Sequence, residues 1–377
     1  MRLHAPRFWE SSNVISWLWL PLAGIYGLIT WLRVLAYQIG LFAQTKLPVP
    51  LIIVGNIRIG GTGKTPIVIA LAKALHAAGL KPGVIARAYR AQSDQEPISQ
   101  EVLPHHSAQE IGDEPALIAQ QLAPYAIPVW VGKARGRTAL HLLKAHPECD
   151  VIISDDGLQH YALSRKPARE GGHDIEIVVQ DSRGVGNGFL LPAGPLREIS
   201  ARPRDLTLQL TQQTRQQFDG EPYSGGFTAV FDTKSPQTIT TQMGLAYPLV
   251  PNAEHTSSQS LIQLAHWMGK QHADQRVGAL AGIAFPHKFF MPLKEYFPNL
   301  KTISLPDHAD FKVNPFDQFP TDIYPLILIT EKDAVKCKAW LDSRVWVVPL
   351  EATISEQLLN WISAILRRGD QHPLKKE

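Results

Sequence analysis

Hydrophobic positions along the chain fall into short, mostly apolar runs separated by longer stretches of helical period. The runs PLIIVG (50–55), GVIAR (83–87), IPVWVG (127–132) and the strand-like DVIIS (150–154) are too short for helices and are bounded by turn residues. Between them lie amphipathic patterns such as IVIALAKALHAAG, which stops at Gly79, a residue suited to ending a helix. Alternation of this kind predicts an α/β fold with a mostly parallel, doubly wound sheet. The polar stretch Gln209–Gln217 and the turn-rich segment Glu221–Gly226 read as a boundary. Beyond it FTAVF, RVGALAGI, PLILIT and VWVVPL alternate again with helix-like runs, predicting a second, smaller α/β domain. The expected division is an amino-terminal segment over 1–45, a core domain over 46–220 and a second domain over 221–377.

One run differs from the others. Ser11–Leu32 carries no charged residue, and about 20 apolar residues of helix cross a bilayer. Trp17, Trp19, Tyr26 and Trp31 are side chains favoured at headgroup level. Arg2 and Arg7 precede the run and Arg33 follows it, so charge sets no orientation. Pro21 is expected to kink or stop the helix. A membrane helix, spanning or lying in the interface, is the reading adopted; a cleaved signal peptide and a buried core helix are the alternatives.

The strand at 50–55 leads into Asn56-Ile57-Arg58-Ile59-Gly60-Gly61-Thr62-Gly63-Lys64-Thr65 and then a helix, the arrangement of a P-loop. Backbone N–H groups of Gly60, Gly61, Thr62 and Gly63 can surround phosphates at the helix amino terminus. Lys64 is expected to neutralise the β- and γ-phosphates, and the Thr65 hydroxyl to bind Mg²⁺. The strict pattern GxxxxGK[ST] has glycine where this chain has Arg58, so the Gly60–Gly61 pair is expected to supply the turn. Downstream, the strand at 150–154 ends in Asp155 and Asp156, carboxylates placed as a Walker B element to meet the metal at Thr65. In Thr330-Glu331-Lys332-Asp333 the lysine is one position too late to read guanine, which leaves ATP as the nucleotide.

Composition narrows this little further. The 377 residues are 45% hydrophobic with a net charge of +3, which suits a folded protein and shows no basic stripe for nucleic acid. The two cysteines, Cys149 and Cys337, form no CxxC or zinc spacing and read as reduced cytosolic thiols.

Further segments are specific. They are GDEP (112–115), DDGLQH (155–160), RGVGNG (183–188) with LLPAGPLRE (190–198), GIAFP (282–286) with Phe289 and Phe290, PDH (306–308) and TEKDAVK (330–336). With GNIRIGGTGKTP and the amino-terminal run, the chain resembles the tetraacyldisaccharide 4'-kinases, which phosphorylate a lipid A precursor. The resemblance implies transfer of the ATP γ-phosphate to the 4'-hydroxyl of an acylated glucosamine disaccharide 1-phosphate. It also implies a site at the cytoplasmic face of the bacterial inner membrane; no obligate protein partner is inferred. Under it Asp113 is the general base and His308 its partner, reaching the site as the second domain closes. Arg135, Gln159, His160, Arg183 and Asn187 become acceptor- or nucleotide-contacting residues. From the residues alone, Asp113 reads equally as a helix N-cap, His160 as a satisfied polar residue, and Arg197 as a solvated loop charge. Two positions depart from the family pattern: Ala86-Arg87-Ala88-Tyr89-Arg90 stands for SRGYG, and Asp307-His308-Ala309 for DHH. A partner-switching P-loop ATPase and a nucleotide-binding scaffold are the competing functions.

Overall fold

A computed structural model describes residues 6–87, 99–103, 105–212, 233, 235–251, 257–307, 309, 311, 313–337 and 339–367. The FTAVF strand, the turn-rich Glu221–Gly226 segment, residues 88–90 and His308 lie outside these residues.

The larger sheet is built from the apolar runs. Its strands are β1 (Leu51–Gly55), β2 (Pro82–Ala86), β3 (Gln100–Glu101), β4 (Val129–Val131), β5 (Val151–Asp155), β6 (Ile175–Gln180), β7 (Leu206–Gln212) and β8 (Gln237–Met243). The smaller sheet holds β9 (Tyr247–Pro248), β10 (Val277–Ala281), β11 (Lys301–Ser304), β12 (Leu326–Thr330) and β13 (Val345–Val348), after which β14 (Leu350–Ala352) returns to the larger one. The strand orders are β14-β8-β7-β6-β1-β5-β2-β4-β3 and β11-β10-β12-β13-β9. All pairs in the larger sheet are parallel except the edges β3–β4 and β8–β14. Strands β1, β2 and β5 are buried at every position, as parallel strands covered on both faces must be.

The amino-terminal helices are α1 (Val14–Leu18) and α2 (Leu20–Gln38), followed by α3 (Lys64–Ala77), α4 (Ala108–Ile111), α5 (Asp113–Leu122) and α6 (Arg135–Ala145). Helices α7 (Leu261–Gln271), α8 (His287–Tyr296) and α9 (Glu331–Ala334) belong to the smaller unit, and α10 (Glu356–Leu366) closes the chain. Helix α3 ends at Ala77, and Gly79 takes the left-handed conformation at φ +87° that caps such an end. Leu358, Ile362, Ile365 and Leu366 of α10 join Ile67, Leu71 and Leu75 of α3 in one core.

The division expected near 221 is not where the sheets divide. Gln209–Gln212 is strand rather than boundary, β8 and β14 belong to the larger sheet, and α10 packs into its core. The signal misled because β7 and β8 run out to the polar edge of the sheet, where Gln and Thr satisfy half-exposed positions. The smaller unit is therefore inserted between β8 and β14, so that two strand crossings connect it to the larger sheet.

At the amino terminus the uncharged run is broken at Trp19, and Pro21 sits in the first turn of α2, where a missing N–H costs nothing. Helix α2 is 19 residues, about 28 Å long. Among the described residues it is the one helix long and apolar enough to cross a membrane. It buries only Ala23, so it is not a core helix; Leu22, Ile25, Leu28, Ile29, Trp31 and Leu32 face outward. Both cysteines are buried, and burial pushes each thiol up to about 12.

Candidate active site

The P-loop connects β1 to α3. Asn56, fully buried at the end of β1, donates its amide to the Gly60 carbonyl at 3.2 Å and to Thr62 Oγ1 at 3.0 Å, fixing the loop from below. Gly60 at φ +102° and Gly63 at φ +77° take the backbone turns that other residues adopt only under strain. The glycine missing at 58 is thus replaced two positions later, as expected. Residues 57–59 pair instead with the LLPAGPLRE loop: Ile59 N donates to Pro195 O at 2.9 Å and Arg197 N to Ile57 O at 2.7 Å.

Strand β5 lies beside β1 and delivers its two carboxylates to this loop. Asp156 adopts φ 51°, unusual for a residue other than glycine, and its Oδ1 lies 3.3 Å from Lys64 Nζ. Arg197 Nη1 approaches Asp156 Oδ2 at 3.5 Å, and Arg197 lines the cleft, so it is a site residue rather than a solvated charge. Although burial alone would raise it, Asp156 is held below the usual carboxylate range by Lys64 and then Arg197. Asp155 is buried beneath it. Burial first, then the Glu114 charge, pushes Asp155 up to about 7, with Asp156 adding and Lys64 and Arg135 opposing.

A cleft of about 780 Å³ runs from Gly60–Pro66 and Asp156 across to Phe285, Lys288 and Lys332 of the smaller unit. Its lining includes Gly60, Gly61, Thr62, Gly63, Lys64 and Thr65. Among the described residues no three His, Cys, Asp or Glu side chains are grouped as a metal cage. Mg²⁺ does not require one, since it takes one or two carboxylates together with phosphate oxygens and water. The buried Asp155 Oδ1 has no hydrogen-bond donor among the described residues, an arrangement that a cation relieves. Thr65, Asp155 and Asp156 therefore fit the ion expected for them.

Asp113 is the first residue of α5, whose cap is Gly112 at φ +99°; it is not the N-cap. Both Asp113 and Glu114 stand in the first turn, where the helix dipole favours a carboxylate. The smaller unit meets them with the TEKDAVK segment. Lys336 Nζ lies 3.8 Å from Asp113 Oδ2 and 2.9 Å from Asp333 Oδ1, and Lys332 Nζ lies 3.2 Å from Glu114 Oε1. Glu114 lines the cleft and Asp113 does not.

The remaining expected residues are placed variously. Arg135 is 3% exposed and donates from Nη2 to Asp155 O at 2.6 Å. Gln159 Nε2 donates to Asn56 O at 3.2 Å and Glu198 Oε1 at 2.8 Å, bracing the end of β1. His160 is pushed down to about 4 by burial, reinforced by Arg135, Arg87 and Arg33, so it is neutral at ordinary pH. Arg183 Nη2 donates to Gly61 O at 2.8 Å, pairs with Asp181 at 2.8 Å, and stacks over Phe285 at 3.9 Å. Asn187 donates to Phe8 O and Ser16 Oγ, each at 3.1 Å, and so joins the loop to the amino-terminal segment rather than to the cleft. Sequence reasoning missed Glu114, Lys332, Lys336, Asp181 and Lys288. Their signal was present only as membership of GDEP and TEKDAVK or, for Asp181 just before RGVGNG and Lys288 just before Phe289 and Phe290, as proximity to a motif.

Glu331, next to this contact, carries a pH effect. It accepts hydrogen bonds from the Gln121 amide and, at 3.2 Å, from Leu350 N, yet burial pushes it up to about 7. A carboxyl with a folded pKa above its unfolded value of about 4.3 binds its proton more tightly when folded. The resulting stability is present below about 4.3 and is lost as pH rises through about 7. Thermal unfolding in Mg²⁺-free buffer is expected to show a lower melting temperature at pH 8 than at pH 5. Glu331→Gln is expected to remove up to ~3 kcal/mol of the underlying stability difference between the two pH values. An unchanged slope in the variant would assign it to Asp155 and other groups.

A glycine-rich loop cradled by a parallel sheet, a lysine facing a strand-end carboxylate, and a cleft closed by a second α/β unit define a P-loop phosphotransferase. Comparison with known proteins gives the particular family. Residues 15–367 match the family described as tetraacyldisaccharide-1-P 4'-kinase. A tetraacyldisaccharide 4'-kinase of Polynucleobacter asymbioticus is 45% identical, covering 98% of this chain and 97% of that one. One of Herminiimonas arsenicoxydans is 41% identical over 96% of this chain and 94% of that one. Among solved structures, LpxK from Aquifex aeolicus in complex with ATP is 25% identical with a TM-score of 0.66, covering 94% of this chain and all of that one. The chain belongs to the tetraacyldisaccharide-1-P 4'-kinase family.

Proposed function

We propose that the cleft binds Mg·ATP on the P-loop and transfers its γ-phosphate to the 4'-hydroxyl of a tetraacylated glucosamine disaccharide 1-phosphate, a step of lipid A biosynthesis. The observation that carries this reading is the convergence of Lys64, Thr65, Asp156 and Arg197 on one wall of a cleft. The opposite wall belongs to a second unit.

In the transfer a bond forms between the acceptor oxygen and the γ-phosphorus, and the bond from that phosphorus to the β–γ bridging oxygen breaks, leaving ADP. Gly60–Gly63 donate backbone N–H groups to the phosphates. Lys64 exchanges Asp156 for phosphate oxygens as nucleotide arrives. Thr65, Asp155 and Asp156 would hold Mg²⁺, which supplies charge neutralisation at the phosphates when bound. Asp113, with His308 as its partner, takes the proton released by the acceptor hydroxyl. The acceptor carries a phosphate of its own. Arg197, which lines the cleft beside Asp156, is placed to bind that second phosphate.

Helix α2 anchors the enzyme at the cytoplasmic face of the inner membrane. Its outward Leu, Ile and Trp side chains support this, as does its position: Tyr26 Oη donates to Arg197 O at 3.0 Å, which joins the anchor directly to a loop of the cleft. An acceptor with acyl chains in the bilayer then meets the site without leaving it.

The test is transfer of radiolabel from the γ-phosphate of ATP in detergent with Mg²⁺, with and without the acylated disaccharide 1-phosphate. Label is expected in the lipid, with ADP release dependent on it. ATP hydrolysis indifferent to the lipid would overturn the kinase reading in favour of a partner-switching ATPase.

A further inference from the structure

Arg58 occupies the P-loop position that the strict pattern gives to glycine, and the reaction as described makes no use of it. Its side chain is almost wholly buried. A guanidinium removed from water is costly unless it is paired and hydrogen-bonded. The pairing comes from outside the domain: Arg58 Nη2 forms an ion pair with Glu10, which lies ahead of the membrane-apt helix. On its other side Arg58 Nη1 donates to Arg183 O at 3.2 Å. Arg183 in turn holds the P-loop carbonyl of Gly61 at 2.8 Å and stacks on Phe285 of the smaller unit. Glu10, Arg58, Arg183 and Gly61 therefore form a continuous line from the amino-terminal segment to the phosphate loop.

The outer end of this line is firmly seated. Trp9 Nε1 donates to Pro192 O at 3.0 Å, and Asn187 N donates to Trp9 O at 2.8 Å. Phe8 O accepts from Asn187 Nδ2 at 3.1 Å and from Ser16 Oγ at 2.9 Å. The residues just before α1 are thus packed onto the RGVGNG loop, and Glu10 projects from them to the P-loop arginine.

We propose that Arg58 is a positioning residue that ties the P-loop to the amino-terminal segment through Glu10, so that ATP affinity depends on the seating of residues 8–16. Without Glu10 the Arg58 cation is left buried and unpaired. It must shift, which withdraws its hold on Arg183 and, through Arg183, on Gly61. By linkage, nucleotide in the P-loop strengthens the seating of the segment by the same factor.

Glu10 is the better position to test, because its side chain is 49% exposed and its removal opens no core. The inference rests on ATP binding at the P-loop and not on the identity of the acceptor. Direct titration of the full chain with Mg·ATP is expected to give a ~10-fold weaker dissociation constant for Glu10→Ala, with Glu10→Asp close to wild type. The KM for ATP should rise in parallel while the KM for the lipid acceptor stays within about twofold. In a double-mutant cycle with Arg58→Met, the second substitution is expected to add little to the first. Hydrogen exchange of residues 8–16 in the wild type should slow on addition of Mg·ATP. Unchanged ATP affinity in Glu10→Ala, strict additivity in the cycle, or nucleotide-independent exchange would each overturn the tie. Should Arg58→Met fail to fold, the Glu10→Ala and Glu10→Asp comparison decides alone. A tie that holds in a protein unable to label the lipid would sink the kinase reading and leave this one standing.

Discussion

Asp113→Ala is expected to lower phosphate transfer to the acceptor by ~10²–10⁴-fold while leaving the ATP dissociation constant within about threefold. The carboxylate stands at the first turn of α5, oriented by a cap that does not depend on it, because Gly112 makes the turn. Its removal does not strand Lys336, whose Nζ keeps Asp333 at 2.9 Å. The Glu114–Lys332 pair at 3.2 Å continues to hold the two units together. The loss should therefore appear in kcat, as it does for a group that acts on the acceptor proton and not on nucleotide. Steady-state transfer and Mg·ATP titration on the same preparation separate the cases. A kcat within tenfold of wild type would remove Asp113 from the proton path and turn attention to Glu114, which lines the cleft beside it. Equal losses in ATP affinity and kcat would instead mean that the substitution had loosened the contact between the units.

What could be read from the chain, and what could not, follows the range of the interactions. The P-loop, the end of α3 at Gly79 and the carboxylates after β5 are local: each is a turn, a cap or a strand end encoded by adjacent residues. The amino-terminal helix was legible because a long uncharged run has few other uses, although the start of α2 beside Pro21 required knowing where the first turn lies. The domain boundary failed at β7 and β8, because QTITTQM lacks the apolar run that marked the central strands, and because insertion of one unit into another leaves no local trace. The site's cross-contacts were equally invisible. Lys336 meets Asp113, Arg183 meets Gly61 and Glu10 meets Arg58 only after the chain has folded. Family resemblance identified Gln159 and Asn187 as important, yet the structure shows them bonded to Asn56 and Glu198 and to the amino-terminal segment. A motif residue can brace a site without facing the ligand.

Lys64→Met should differ from Asp113→Ala in kind as well as in size. Lys64 Nζ lies 3.3 Å from Asp156 Oδ1, in a side chain only 13% exposed, and under the proposed function it is the P-loop cation directed at the phosphates. Removing it deprives the developing phosphate charge of a fixed positive group in a site partly shielded from water, a loss of ~10²–10³-fold in kcat. It also leaves Asp156 with only Arg197, at 3.5 Å, and the field of Arg135 to offset its charge among the described residues, so the negative potential over the P-loop rises and ATP is repelled. ATP affinity is therefore expected to fall along with kcat, whereas Asp113→Ala spares it. Lys64→Arg tests whether charge alone suffices. The planar guanidinium cannot occupy the compact place of an ammonium against the β- and γ-phosphates, so only a minor part of the rate should return. Full activity in Lys64→Arg would mean that bulk potential, not a positioned point charge, is what the P-loop supplies. Unaltered ATP binding in Lys64→Met would mean that Lys64 belongs to Asp156 in the nucleotide complex as well, and that the backbone N–H groups of Gly60–Gly63 bind the phosphates unaided.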